Sequence, residues 1–428
     1  MYCNRYAYDI VTLFTLWFKV MELVDLLIIN ANELITLRGS NKPRVKKEMN
    51  DLGIIKGGSV AIKDGKIIDI GKNLEYETKK TIDASGNIVL PGFIDPHTHL
   101  VFGGSREFEL DWKLNGLSYM QIKERGGGIS YTVEKTREAS FNDLYCQSIK
   151  RLDNMLYYGT TTCEAKSGYG LDIENEMKIL DVHKYLNKDH PVDIVSTFLG
   201  AHAIPEDKTV TEYVDLVIDE MIPLAENRAL FCDVFCEKGF FSVEQSREIL
   251  QVGKKYNLIP KIHADELNDM GGGELAAEIG AISAEHLLRV NKKGINNMAE
   301  KNVIGVLLPG TPFCLMMHEY APARYMIDNG VPIALATDLN PNCYVENMQF
   351  MIQLGCFNMN MTPAEAITAS TFNAACAIKK QHQIGSIEKG KQADILILNL
   401  ENYKMLPYHF AVNHVQTVIK NGKIVLSS

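Results

Sequence analysis

The chain of 428 residues has nine cysteines but no pair at the CxxC spacing of a zinc or redox site. Their odd number and scatter exclude a disulfide framework and point to reduced thiols in a cytoplasmic protein. Basic charge is also short. Lysine and arginine total 44 against 53 acidic residues, and the net charge of −9 argues against a nucleic-acid partner. No GxGxxG follows a strand pattern, so a dinucleotide-binding sheet lacks its fingerprint. Two glycine triplets, Gly126–Gly128 and Gly271–Gly273, lack the lysine-and-hydroxyl ending of a phosphate loop and read as flexible loops. Long apolar runs are missing as well. Ile10–Phe18 follows Arg5 in the manner of a leader, but it is too short to span a bilayer and no small-x-small cleavage site follows. We expect no membrane partner, and read residues 1–20 as an extension upstream of a natural start at Met21, without a catalytic role.

What is present is ordinary globular composition, 46% hydrophobic and 23% charged, on a chain long enough to bury a large core. Both ends read as short strands with glycine turns. Ser59–Ile70 is a hairpin with Asp64-Gly65 at its turn, and Val415–Val425 is another around Asn421-Gly422. Residues 21–88 and 385–428 are therefore expected to fold together as one small β-sandwich domain. Lys42–Lys47, with four cations among six residues, reads as a solvated loop. Residues 89–384 alternate strand-like runs with helical stretches. Ile194–Leu199, Leu258–His263, Val303–Leu308 and Val331–Ala336 are such runs, and Ser242–Tyr256 is a capped helix. This α/β repetition suits a TIM-like (β/α)8 barrel, with a doubly wound sheet as the alternative.

Chemistry sits at the ends of these runs. Val89–His99 is an apolar stretch that ends in His97-Thr98-His99, and period-two alternation sends both imidazoles to one face. Lys261-Ile-His263 ends a second run, with Glu266 just beyond. Glu285-His286 ends a third, and Thr337-Asp338 ends a fourth. In a barrel these ends converge. His97, His99, His263 and Asp338 would then form a three-nitrogen, one-oxygen site for Zn2+, or Fe2+ as second choice, with room for water. Asp338 would accept a proton from the attacking water, His286 would polarise a carbonyl, and Glu266 would hydrogen-bond the substrate and help activate the water.

The order of these pieces resembles the amidohydrolase superfamily. Within it, His97–Glu107, Lys166–Leu171, Leu199–Ala203, His263–Glu266 and Asp338–Pro341 are similar to the imidazolonepropionase family, and the likeness runs from about residue 24 to the C terminus. That resemblance implies hydrolysis of 4-imidazolone-5-propanoate to N-formimidoyl-L-glutamate in histidine degradation, and a homodimer. It puts Arg106, Tyr169 and His202 at the substrate, where a guanidinium suits a propanoate. The loop Asn340-Pro341-Asn342-Cys343 departs from the glycine and small hydroxyl residue of many bacterial members. Backbone contacts at Asn340, Asn342 and Cys343 would survive, but a hydroxyl contact would be lost. Two-metal relatives use a carboxylated lysine, for which Lys166 is the nearby candidate. The Ser-Gly-Tyr that follows it looks like the mononuclear subgroup, so one ion is expected. Competing readings are another cyclic amidohydrolase or nucleobase aminohydrolase of the superfamily, and a non-catalytic scaffold on the same fold.

Overall fold

A computed structural model describes residues 22–117 and 119–427, so the expected extension at 1–20 lies outside the described residues. Eight parallel strands pair in chain order: β1 (Phe93–Asp95), β2 (Thr160–Lys166), β3 (Asp193–Ala201), β4 (Phe231–Cys236), β5 (Ile259–Ala264), β6 (Ser283–His286), β7 (Ile304–Leu307) and β8 (Ile333–Leu335). Helices cover their outer faces, so β7 and β8 are buried on both sides and read as unbroken apolar runs. The sheet closes where Thr98 bridges Leu339 in parallel. The Asp338 N–H donates to His97 O at 3.1 Å, and the His99 N–H donates to Leu339 O at 2.8 Å. Thr337 adds its N–H and hydroxyl to the Asp95 carboxylate at 3.1 and 2.6 Å. The architecture is the expected (β/α)8 barrel.

Local chemistry accounts for the elements. The helix Val243–Lys255 starts at Ser242, whose side chain accepts the Gln245 N–H while Gln245 caps the Ser242 N–H in return. Its buried face is Ser246, Ile249, Leu250 and Gly253, the three-four spacing of a helix against a sheet. The chain ends form a two-stranded pairing of Leu23–Val24 with Glu77–Thr78 and two larger sheets. One runs Lys66–Gly71, Gly58–Lys63, Leu26–Ala31, Thr81–Asp83; the other runs Lys423–Ser427, Val415–Lys420, Ile395–Leu398, Ile88–Pro91, Glu33–Leu34. Their inner faces share one apolar cluster that includes Ile28, Val60, Ile395 and Ile419. Both hairpin turns use left-handed residues, Asp64-Gly65 and Asn421-Gly422, as the sequence pattern requires. The two turns meet across Ala393, which donates its N–H to Gly65 O and accepts from the Gly422 N–H.

Two local readings change. The apolar stretch before His97 is not one strand. Ile88–Pro91 pairs antiparallel with Ile395–Leu398 in a terminal sheet, and Phe93–Asp95 enters the barrel. The break is at Gly92, where a β-carbon would lie 2.2 Å from the Thr161 hydroxyl. Nor is the basic segment wholly solvated. Arg44 is buried, and its Nη2 donates to the Leu37 and Arg38 carbonyls at 2.8 and 3.0 Å.

One buried group away from the barrel mouth has a clear pH consequence. Burial pushes the His183 ring down to about 3, and its Nδ1 lies 2.9 Å from the Ser196 hydroxyl. The unfolded ring titrates near 6.5, so between these values only the unfolded chain takes up the proton. Stability from this group is full above pH 6.5 and is lost as pH falls toward 3. His183→Gln should flatten the fall of Tm between pH 6.5 and 4 in scanning calorimetry. An unchanged slope would assign the acid sensitivity elsewhere.

Candidate active site

The four residues singled out at strand ends converge at the carboxyl end of the barrel. His97 and His99 lie on the extension past β1, His263 on β5 and Asp338 just past β8. Asp338 Oδ1 is 3.3 Å from His97 Nε2 and 3.6 Å from His99 Nε2. The rings of His97 and His263 are 4.6 Å apart. All four side chains are buried, and His263 Nε2 has no hydrogen-bond partner. An unsatisfied buried nitrogen is costly, and a coordinated ion removes that cost. Donor atoms of His97, His99 and Asp338 lie within 4.8 Å of one another, as do those of His97, His263 and His286. The donor set therefore suits a divalent metal.

Sequence reasoning missed what lies beneath. Glu285 contacts His97 Nδ1, and Asp233 Oδ2 sits 3.0 Å from His263 Nδ1, so a carboxylate orients each ring. Lys166 Nζ reaches Asp233 and Glu285 at 2.8 Å each and Glu164 at 3.1 Å. Lys261 Nζ bonds Glu164 at 2.8 Å and Glu285 at 3.0 Å. All five side chains are fully buried. Burial works against the Lys166 ammonium, but Asp233, Glu164 and Glu285 outweigh it and hold the amine charged. Carboxylation of a lysine needs the neutral amine, so this environment opposes it. The available signal was parity. Glu164 and Lys166, and likewise Lys261 and His263, share one face of their strands.

The cavity over this group has a volume of about 130 Å³, and Arg106, Tyr169, His202, Glu266, His286, Asn340 and Asn342 line it with His99, His263 and Asp338. The His202 ring stacks on His99 with centroids 4.7 Å apart, and its Nδ1 is 3.0 Å from Gly168 O. Burial pushes His202 and His286 down to about 3, so both are neutral near pH 7. Burial and then the Asp338 charge push Glu266 up to about 8, which keeps it protonated there. Asp338 goes the other way. Its burial is outweighed by His97, and Thr311 donates its hydroxyl at 2.5 Å, so the carboxylate stays ionised. His286 and Asp338 both have left-handed backbones, with φ of +71° and +56°. Such strain, about 1–3 kcal/mol at a non-glycine residue, is concentrated at functional sites.

Three carboxylates brace the loops, and none was visible as a brace in the sequence. Glu109 holds Arg106 by a fork, with Nε at 2.7 Å and Nη2 at 2.8 Å, and also accepts the Gly128 N–H at 2.7 Å. Glu176 accepts the N–H groups of Gly168, Gly170 and Leu171, fixing the loop that carries Tyr169. Asp265 accepts from Gly272 and Gly273 at 3.0 and 2.9 Å. Gly128 of one glycine triplet and Gly272 and Gly273 of the other thus bond a carboxylate of their own chain. One expected contact residue is not at the cavity. Asn340 Oδ1 accepts the N–H groups of Asn342 and Cys343 at 2.7 and 3.0 Å, closing a turn that buries Cys343. Its Sγ lies 3.7 Å from Thr337 O, away from the lining.

The chain matches the amidohydrolase family over residues 207–425, and a second amidohydrolase model over residues 80–122. It is 51% identical over 417 residues to an imidazolonepropionase of Alkaliphilus metalliredigens (strain QYMF), covering 94% of this chain and 98% of that protein. An imidazolonepropionase of Geobacillus kaustophilus (strain HTA426) is 53% identical over 411 residues, covering 93% and 97%. This chain belongs to the imidazolonepropionase family. Like the amidohydrolases around it, the family member described here is a metal-dependent hydrolase of a carbon–nitrogen bond. The fold extends further. An adenosine deaminase from Xanthomonas campestris with bound zinc superposes with a TM-score of 0.72 at 18% identity, covering 95% of this chain and 94% of that one. A 5-methylcytosine deaminase from Klebsiella pneumoniae gives 0.72 at 16%, covering 94% and 97%. These last two likenesses concern the barrel, not its substrate.

Proposed function

We propose that the chain hydrolyses 4-imidazolone-5-propanoate to N-formimidoyl-L-glutamate in histidine degradation. The observation that carries this reading is one small cavity in which a three-imidazole, one-carboxylate group faces Arg106, within a chain half identical to imidazolonepropionases. His97, His99, His263 and Asp338 would hold one divalent ion, Zn2+ before Fe2+, and the charged state of Lys166 favours one ion over two. Such an ion supplies Lewis acidity and makes water acidic near neutral pH.

The side chains supply the rest. Asp338, ionised, takes a proton from the attacking water at its carboxylate and returns it to the ring nitrogen as the carbon–nitrogen bond breaks. Neutral His286 donates its N–H to the carbonyl oxygen, where charge builds up. Protonated Glu266 donates a hydrogen bond to the ring. Tyr169 and His202 orient the ring from the opposite wall, and Asn340 and Asn342 edge it. Arg106 meets the propanoate through Nη1, which Glu109 leaves unengaged. Cys343 contributes only through the turn that presents Asn340 and Asn342.

Around this chemistry we read 92–384 as the catalytic barrel and 22–91 with 385–427 as one β-sandwich domain, three residues past the boundary expected at 88 because Ile88–Pro91 pairs with Ile395–Leu398, and its two sheets share an apolar cluster. Cytoplasmic residence is supported by the free thiols of all eight cysteines among the described residues. No helix among those residues is long and apolar enough to cross a membrane. A homodimer fits the exposed apolar side chains of Phe357, Tyr408 and Phe410, and sedimentation at the mass of one chain would remove that reading.

The deciding experiment is turnover of freshly made 4-imidazolone-5-propanoate, read as loss of its ultraviolet absorbance. Turnover that stops on chelation and returns with Zn2+ or Fe2+ is expected. Metal-loaded protein with no turnover would redirect the search to other cyclic amides or nucleobases.

A further inference from the structure

Arg106 carries no net charge into the cavity, because Glu109 neutralises it through two hydrogen bonds. A carboxylate approaching that pair meets a good hydrogen-bond donor but no net positive field. A second cation that shares Glu109 lies one helical turn past it, at Lys113. Its Nζ is 3.7 Å from Glu109 Oε2, donates to the Asn342 side-chain oxygen, and is only 13% exposed. It lines an outer cavity of about 820 Å³ together with Arg106 and Asn342, and those two residues also line the inner cavity. The rest of that outer wall is largely apolar, with Leu110, Phe313 and Met316, and its one carboxylate is the exposed Glu107, which accepts the Ser105 hydroxyl.

We infer that Lys113 is a specificity-determining residue that, with Arg106, selects a substrate carrying a carboxylate. The inference rests on the ring-propanoate reading above. Glu109 and Asn342 divide the work. Glu109 fixes the guanidinium plane, and Asn342 holds the ammonium at the boundary between the two cavities. The charges of Arg106, Glu109 and Lys113, all largely buried, sum to one positive charge for the incoming propanoate, while the exposed Glu107 carboxylate is in contact with solvent. A neutral side chain gains nothing from Lys113, so the residue acts on choice of substrate and not on the bond-breaking step.

The test uses metal-loaded enzyme and two stable probes, imidazole-4-propanoate and its neutral propanamide, titrated calorimetrically. Wild type should prefer the propanoate. Lys113→Met should weaken the propanoate by about ten- to thirtyfold and leave the propanamide unchanged, as expected for one partly buried charge-assisted contact. Lys113→Arg should recover most of the preference. In turnover, KM should rise while kcat stays within about twofold. Equal losses for both probes, or none, would overturn the role of Lys113 while leaving the substrate reading intact. A wild-type enzyme that binds neither probe would overturn the substrate reading, and this inference with it.

Discussion

Asp338→Asn should lower kcat by about a thousandfold or more while the barrel stays folded. The amide has nearly the shape of the carboxylate and can still meet the Thr311 hydroxyl, which donates at 2.5 Å. It has no basic oxygen, so the proton of the attacking water has no acceptor, and general-base contributions run to about 10²–10⁴-fold. The loss should fall on kcat and kcat/KM together, because ground-state contacts through Arg106 and Tyr169 are untouched. Metal content, measured alongside, separates two causes. Inactive protein with the ion retained by the three imidazoles assigns Asp338 to proton transfer. Inactive protein without the ion assigns it chiefly to coordination. Activity within tenfold of wild type would remove it from both.

The second large effect concerns folding. Lys166→Met should destabilise the chain by about 3–5 kcal/mol, measured by urea denaturation of the metal-loaded protein. It removes one of two cations facing Glu164, Asp233 and Glu285, all fully buried, and leaves carboxylate charge without compensation. Adding Glu164→Gln to that variant should recover part of the loss, since it restores the charge balance without touching His97 or His263. Lys63→Met, which breaks the solvent-exposed pair with Glu22, should hardly move the curve. If Lys166→Met is equally mild, the buried group is not held together by charge.

The contrast between what could and could not be read in the chain follows from the geometry of strands. His97, His99, His263, His286 and Asp338 were legible because reactive side chains stand at the ends of apolar runs, and barrel closure brings strand ends together. Glu164, Asp233, Lys261 and Glu285 are also buried inside the barrel but lie within their strands, where a lone charge ordinarily faces solvent. Only the closed barrel turns that face inward, and each charge is tolerated because another strand supplies its counterpart. Glu109 was legible as an ion-pair partner of Arg106 but not as a buried one. Three residues from Arg106, it looks like half of a surface pair, and its burial depends on Gly128 folding back over it. Cys343 lies off the cavity because of a turn. Asn340 accepts two successive amide protons, which rotates the cysteine inward although its neighbours in sequence line the cavity.

The seam that closes the barrel joins Asp95 to Thr337, 242 positions apart in the chain. His97 and His99 lie on one side of that seam and Asp338 on the other, so an ion shared among them would also work as a fastener. A fastener across so long a loop restricts the unfolded chain more than one across a short loop. Metal shortage would then shorten the life of the polypeptide, since chains that open more often are cut more often by proteases. The supply of one trace element would set how much of this protein a cell keeps, and not only how fast each copy works.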